Sequence, residues 1–145
     1  NAAHGRPVDA AAGYRSVLAE VDRPDLREAL GTVLAAAGEA DAAADCHATA
    51  LAAYTRSVAR GEVHYLHHLA TFHVDVHPHF PAALAWAQED AALRRNGRTL
   101  SLLAECQHRV GRTAEARATL DEAFARGAGD PQLQARARAI RGSGR

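Results

Sequence analysis

One register of small and apolar residues recurs along this chain and limits what it can fold into. It is clearest from Gly97 to Pro131, GRTLSLLAECQHRVGRTAEARATLDEAFARGAGDP. An apolar run ends at Val110 and breaks at Gly111-Arg112. A second amphipathic run begins at Thr113 and stops before Gly127-Ala128-Gly129-Asp130-Pro131. Leu103-Ala104, Gly111, Ala116 and Ala123 mark the register. Leu30-Gly31, Gly38, Ala43 and Ala50 repeat it upstream, and Leu69-Ala70 with Ala83 forms a third copy. Leu69 and Leu103 stand 34 residues apart and Leu30 and Leu69 stand 39 apart, so the first full unit is longer by about one and a half helical turns. Self-similarity on this scale is the signature of stacked supersecondary units. The small residues have a packing reason. Gly31, Ala70 and Ala104 are expected where the two helices of a hairpin approach. Ala43, Ala83 and Ala116 should sit where the second helix meets the first, and Ala50 and Ala123 where it meets the next unit. A large side chain at such a contact overpacks it by ~1–3 kcal/mol.

The segments between the register marks read as helices. Alanine makes up about a quarter of the chain and aromatics only 5%, which favours helix and disfavours sheet. Residues 1–7 read as a loose start. Helical spacing then runs over 8–21, 26–37, 40–60, 62–76, 81–93, 99–110, 113–126 and 131–140. Pro24 and Pro81 open helices, Gly61 suits the position after a helix, and Asp130 suits an N-cap. His77-Pro78-His79-Phe80-Pro81 reads as a connector, and 141–145 as a fraying tail. The short turns make neighbouring helices antiparallel. This describes an all-α chain of about seven helices with no strand. It forms one domain over 8–140, divided into a half repeat (8–22), repeats at 24–60, 62–96 and 97–130, and a terminal helix at 131–140.

These features resemble the tetratricopeptide repeat, of a high-GC bacterial type. The resemblance covers Val8 to Ile140. It is strongest over LATFHVDVHPHFPAALAWAQEDAALRRNGRTLSLLAECQHRVGRTAEARATLDEAFARGAGDP, which is similar to the C-terminal pair of repeats in that group. It implies a right-handed α-solenoid of antiparallel hairpins with a concave groove lined by the first helices. Three departures stand out. Asp90 takes a position where the pattern wants a small residue, which suggests that the 83–93 helix packs in a shifted register. Gln107 and His73 replace the usual aromatic, and the His77–Phe80 turn is long.

The resemblance also implies a role as a scaffold or adaptor that binds a peptide or protein segment in the groove without chemistry. By register the groove carries Asp25, Glu28 and Thr32, then His64, His67 and Thr71, then Arg98, Ser101, Glu105, His108 and Arg109. This set is polar and mixed in sign, suited to hydrogen bonds and ion pairs with a partner. The family's basic clamp for a C-terminal carboxylate needs Lys and Asn. Here the matching positions are Glu28, His67 and Ser101 and the chain has no Lys, so that activity is not carried over.

Histidine is the unusual feature. Six of nine histidines lie in HYLHHLATFHVDVHPH. His64/His68 and His73/His77 have the i, i+4 spacing that can chelate Zn²⁺, Ni²⁺ or Cu²⁺ on a helix. At ~100° per residue, however, His73 lies ~180° around from His64, so the two pairs cannot form one four-ligand site on a straight helix. A divalent-metal site is therefore an alternative reading rather than the leading one. A pH response is another, since histidines titrate near pH ~6.5. The bland reading leaves His73 half-buried and the others as groove or turn residues.

Other classes are disfavoured. Arg and acidic residues balance at 17 each, so no overall charge draws the chain to nucleic acid or an anionic membrane. No window approaches a membrane span. There is no GxSxG and no Gly-rich phosphate loop. The pairs Glu89-Asp90 and Asp121-Glu122 read as solvated, and Cys46 and Cys106 as buried free thiols with no cofactor between them. The chain opens Asn-Ala-Ala with no Met and reads as a fragment, so its compartment stays open: a cytoplasmic setting is slightly favoured, beside a secreted or membrane-anchored parent protein. Self-association through the ends of the array is a third functional reading.

Overall fold

The computed structural model describes residues 2–127 and 130–142, with side chains from residue 6 onward. Every regular element among them is a helix. In chain order these are α1 (Ala2–Glu20), α2 (Pro24–Ala36), α3 (Ala40–Ala59), α4 (Leu66–Asp75), α5 (Phe80–Leu93), α6 (Gly97–Arg109), α7 (Thr113–Arg126) and α8 (Pro131–Gly142). The count is eight rather than about seven, one helix for each run that the turn signals delimit. No helix among the described residues is long and apolar enough to cross a membrane.

Two boundaries differ from expectation by more than two residues. α1 begins at Ala2 and holds Pro7 inside it, so the loose start expected at 1–7 is helical from its second residue. α4 begins at Leu66 rather than Glu62, because Val63 to Tyr65 form a turn ahead of it. Of the tail expected at 141–145, Arg141 and Gly142 extend α8; residues 143–145, like 1, 128 and 129, lie outside the described residues.

The helix ends follow local chemistry. Gly38 and Gly111 close α2 and α6 with φ of +86° and +88°, a left-handed conformation that costs glycine little. In each turn the backbone N–H three residues past the last helical residue reaches back, Glu39 to Leu34 at 2.9 Å and Arg112 to Gln107 at 2.8 Å. The middle turn has no glycine. There His79 donates its backbone N–H to His73 at 2.8 Å, and its ring Nδ1 accepts from the Ala82 N–H at 3.2 Å as an N-cap of α5. α6 starts in a capping box: Asn96 Oδ1 accepts from the Thr99 N–H at 3.0 Å and Thr99 Oγ1 from the Asn96 N–H at 3.2 Å. The Asp130 carboxylate accepts from the Gln132 N–H at 3.0 Å, as the N-cap reading anticipated.

The chain divides into two compact units, residues 1–62 and 63–145. In the first, α2 packs against both α1 and α3 around Ala11, Leu30, Leu34 and Ala43. In the second, α4 pairs with α5 and α6 with α7. α6 also meets α5, α4 and α8. Its core runs from Ala70 and Ala83 through Leu100, Leu103 and Leu120 to Leu133 and Ile140 of the last helix. All eight small register residues are buried: Gly31, Ala70, Ala104, Ala43, Ala83, Ala116, Ala50 and Ala123. At Gly31 the approach is closest, since an added Cβ would lie 2.5 Å from Cδ2 of His47 on α3.

Candidate functional site

Each helix pair carries a side-chain hydrogen bond between its two helices. Tyr54 of α3 donates to Glu28 of α2 at 2.6 Å, and Thr119 of α7 donates to Gln107 of α6 at 2.7 Å. Between α4 and α5, His67 Nδ1 lies 3.0 Å from Asp90 Oδ2. The other Asp90 oxygen accepts from Arg94 at 3.3 Å. Buried polar groups need such partners, because an unmet one costs its full desolvation.

Asp90 is the most unusual of these groups, with only 1% of its surface exposed. The expectation that the Glu89-Asp90 pair is solvated holds for Glu89 and fails for Asp90. Nor does α5 shift its register to avoid the carboxylate. At ~100° per residue Asp90 falls on the same stripe as Ala83, Ala87 and Ala91, and all four are buried. Burial pushes its pKa up. The hydrogen bond and charge of His67, followed by those of Arg94, outweigh that and hold the carboxyl below its ordinary value. With Asp90 ionised, Nδ1 of His67 must carry the proton.

These bonds consume part of the expected groove. Glu28, His67 and Ser101 occupy one register position in three successive first helices. Glu28 is taken by Tyr54 and His67 by Asp90. Ser101 is fully buried and accepts from Arg136 of α8 at 2.9 Å. Ser101 is therefore covered by the last helix rather than open to a ligand. Among the others, Asp25 pairs with Arg23 at 2.6 Å, Thr32 donates to the Glu28 carbonyl at 3.2 Å, and Thr71 to the His67 carbonyl at 2.8 Å. His108 is half-buried, with Nδ1 3.2 Å from the Thr113 hydroxyl. Arg98 is exposed. Arg109 pairs with Glu105 at 3.1 Å and lies over the Phe80 ring, 5.1 Å from its centroid. At helical spacing Arg98, Glu105 and Arg109 share one line of α6.

The histidine pairs proposed for metal are not realised as helical pairs. His64 precedes α4 and His77 follows it, so neither pair sits on one helix. Rings are engaged locally instead. His64 and His68 flank Tyr65 at 4.3 and 5.6 Å between centroids, and His73 and His77 flank Phe72 at 5.7 and 5.3 Å. Among the described residues no three His, Cys, Asp or Glu side chains converge to hold an ion. Burial pushes the His73 pKa down. A backbone hydrogen bond at His77 opposes this, and the charges of His79 and His77 add to it. Cys46 is half-buried and Cys106 buried, both as free thiols.

Sequence reasoning missed the His67–Asp90–Arg94 cluster as a unit, although each residue was in view. Its signal was the Asp90 anomaly itself: a carboxylate on a small-residue stripe requires a donor on the facing helix. No protein-family model, curated protein or solved structure matches this chain.

Proposed function

We propose that this chain is a non-enzymatic protein-interaction module of the tetratricopeptide kind, a right-handed solenoid of antiparallel hairpins that holds a peptide or protein segment on its first helices. The observation that carries this reading is the packing of residues 63–145. There α4 meets α6 and α6 meets α8, while α5 and α7 pair with their own first helices. First helices side by side make one continuous face, the geometry by which helical repeats bind.

The binding surface differs from the one the register alone suggests. Glu28, His67 and Ser101 are engaged within the chain, so the partner contacts fall to Arg98, Glu105 and Arg109, with Thr71 and His108 at their margin. Arg109, held between a carboxylate and an aromatic ring, is preorganised to meet a carboxylate bidentately. The partner is a segment bearing both signs of charge.

A peptide-display selection tests this. Peptides selected on the parent chain should bind the Arg98→Ala/Arg109→Ala double variant about tenfold more weakly or worse, the effect of roughly 1.4 kcal/mol. Arg117→Ala, on the exposed side of α7, should leave binding unchanged. Equal affinity for the parent and the double variant would sink the proposal.

A further inference from the structure

The zero net charge conceals a division. Residues 1–62 hold six arginines against nine carboxylates, and residues 63–145 hold eleven against eight, so the units carry −3 and +3 with histidine neutral. Each unit also presents an open groove built to the same plan. On α1 the groove, about 450 Å³, is lined by Ala10, Gly13, Tyr14 and Val17 at i, i+3, i+4 and i+7, with Leu26 of α2 as its wall. On α8 the groove, about 370 Å³, is lined by Gln134, Ala137, Arg138 and Arg141 at the same spacing, with Phe124 of α7 as its wall. Each is a two-turn helix face beside one large apolar side chain, the unit of helix-on-helix packing.

The two faces are complementary in charge. The α1 face is apolar at its centre. Val17 and Val21 are 48% and 50% exposed, and a Cβ at Gly13 would meet nothing within 4 Å. At ~100° per residue, Asp9 and Glu20 lie along one border of that stripe. Both are exposed, and among the described residues no arginine pairs with either. The α8 face carries the opposite sign. Arg138 is exposed with no carboxylate paired to it among the described residues. Arg141 lies over Phe124, 5.0 Å from the ring centroid, with Asp121 at 2.9 Å.

We propose that copies of this chain associate head to tail, the α1 face of one copy seated on the α7–α8 groove of the next. Val17 and Val21 pack against Phe124, while Asp9 and Glu20 meet Arg138 and Arg141. The contact joins two different surfaces, so a dimer made through one such contact still offers one α1 face and one α7–α8 groove to further copies. The apolar centre supplies affinity and the charges set partner and direction. This surface is separate from the α6 face proposed for a peptide, so the two readings stand or fall independently.

Sedimentation velocity on the 145-residue chain tests the proposal. Mass should rise above the 15.4 kDa of one chain as concentration increases, and salt should reduce the rise. Arg138→Glu/Arg141→Glu and Asp9→Arg/Glu20→Arg should each return the chain to monomer with its helical circular dichroism intact. Mixing the two variants should restore association, because each then offers the other a complementary face. A monomer at every concentration would overturn the inference. So would association that only the α1 variant abolishes, which would mark a symmetric α1–α1 dimer, or a mixture that stays monomeric.

Discussion

His67 Nδ1 lies 3.0 Å from an Asp90 carboxylate that is 1% exposed, joining α4 to α5 across the middle helix pair. Arg94 is the second partner of that carboxylate, and its own side chain is 54% exposed. The acid is inside, and its charge reaches solvent only through these two neighbours. The pair should therefore behave asymmetrically on mutation. Asp90→Ala removes the charge and leaves His67 without its acceptor, a loss of about 1–3 kcal/mol. His67→Ala strands a buried carboxylate with one exposed partner and should cost about 3 kcal/mol or more. Urea unfolding of both single variants and the double variant should give a coupling between ~0.5 and 3 kcal/mol. Additive effects would refute the pairing.

Acid stability tests the same carboxylate. Its folded pKa is lowered, because His67 and then Arg94 outweigh the upward push of burial. The unfolded carboxyl titrates near ~3.9. A depressed folded pKa contributes stability that is fully present above the unfolded value and is lost as pH falls through the folded one. The parent should thus lose stability below about pH 4 more steeply than Asp90→Asn, which has no proton to take up there. Denaturant midpoints at neutral and acid pH would show it; parallel curves for the two proteins would contradict it.

Gly31 faces His47 so closely that an alanine Cβ would sit 2.5 Å from Cδ2 and 2.6 Å from Nε2. Alanine gains ~1 kcal/mol over glycine in a helix. The imidazole, 8% exposed, must move to accommodate it, an overpacking cost of ~1–3 kcal/mol. Gly31→Ala should be destabilising with His47 present and stabilising in a His47→Ala background. Thermal melts of the four proteins decide the sign; a stabilised Gly31→Ala single variant would contradict the contact.

The two thiols should differ in reactivity. Burial, helped by the charge of Glu105, pushes Cys106 up to about 12, so almost no thiolate forms near neutrality. Cys46 is half-buried. Brief iodoacetamide treatment of the folded chain followed by peptide mass mapping should find Cys46 labelled well before Cys106. Denaturation should remove the difference, and equal labelling in the folded chain would contradict the burial.

The small-residue register was legible because close packing at a helix crossing admits little else. Gly31, Ala70 and Ala104 could be read as contact positions from spacing alone, and all are buried. The start of α4 was less legible. Val63-His64-Tyr65 has no proline or glycine to stop a helix, yet the chain turns there before α4 begins at Leu66. That displacement removes the helical basis of the His64/His68 pair. The groove residues were located by register, but register does not say whether a polar side chain looks outward or across to its neighbour. Glu28 and His67 look across because Tyr54 and Asp90 stand opposite them.

By itself the sequence determined the helical class, the turns at Gly38 and Gly111, and the stripes of alanine and leucine that become the core. Those properties depend on residues within one or two turns of each other, and local sterics, propensity and periodicity suffice for them. Only the tertiary structure decided that Asp90 is buried rather than solvated and that Ser101 lies under Arg136. Each of those outcomes depends on which side chain a facing helix supplies. That partner can be more than twenty residues away, as His67 is from Asp90, and no local pattern specifies it.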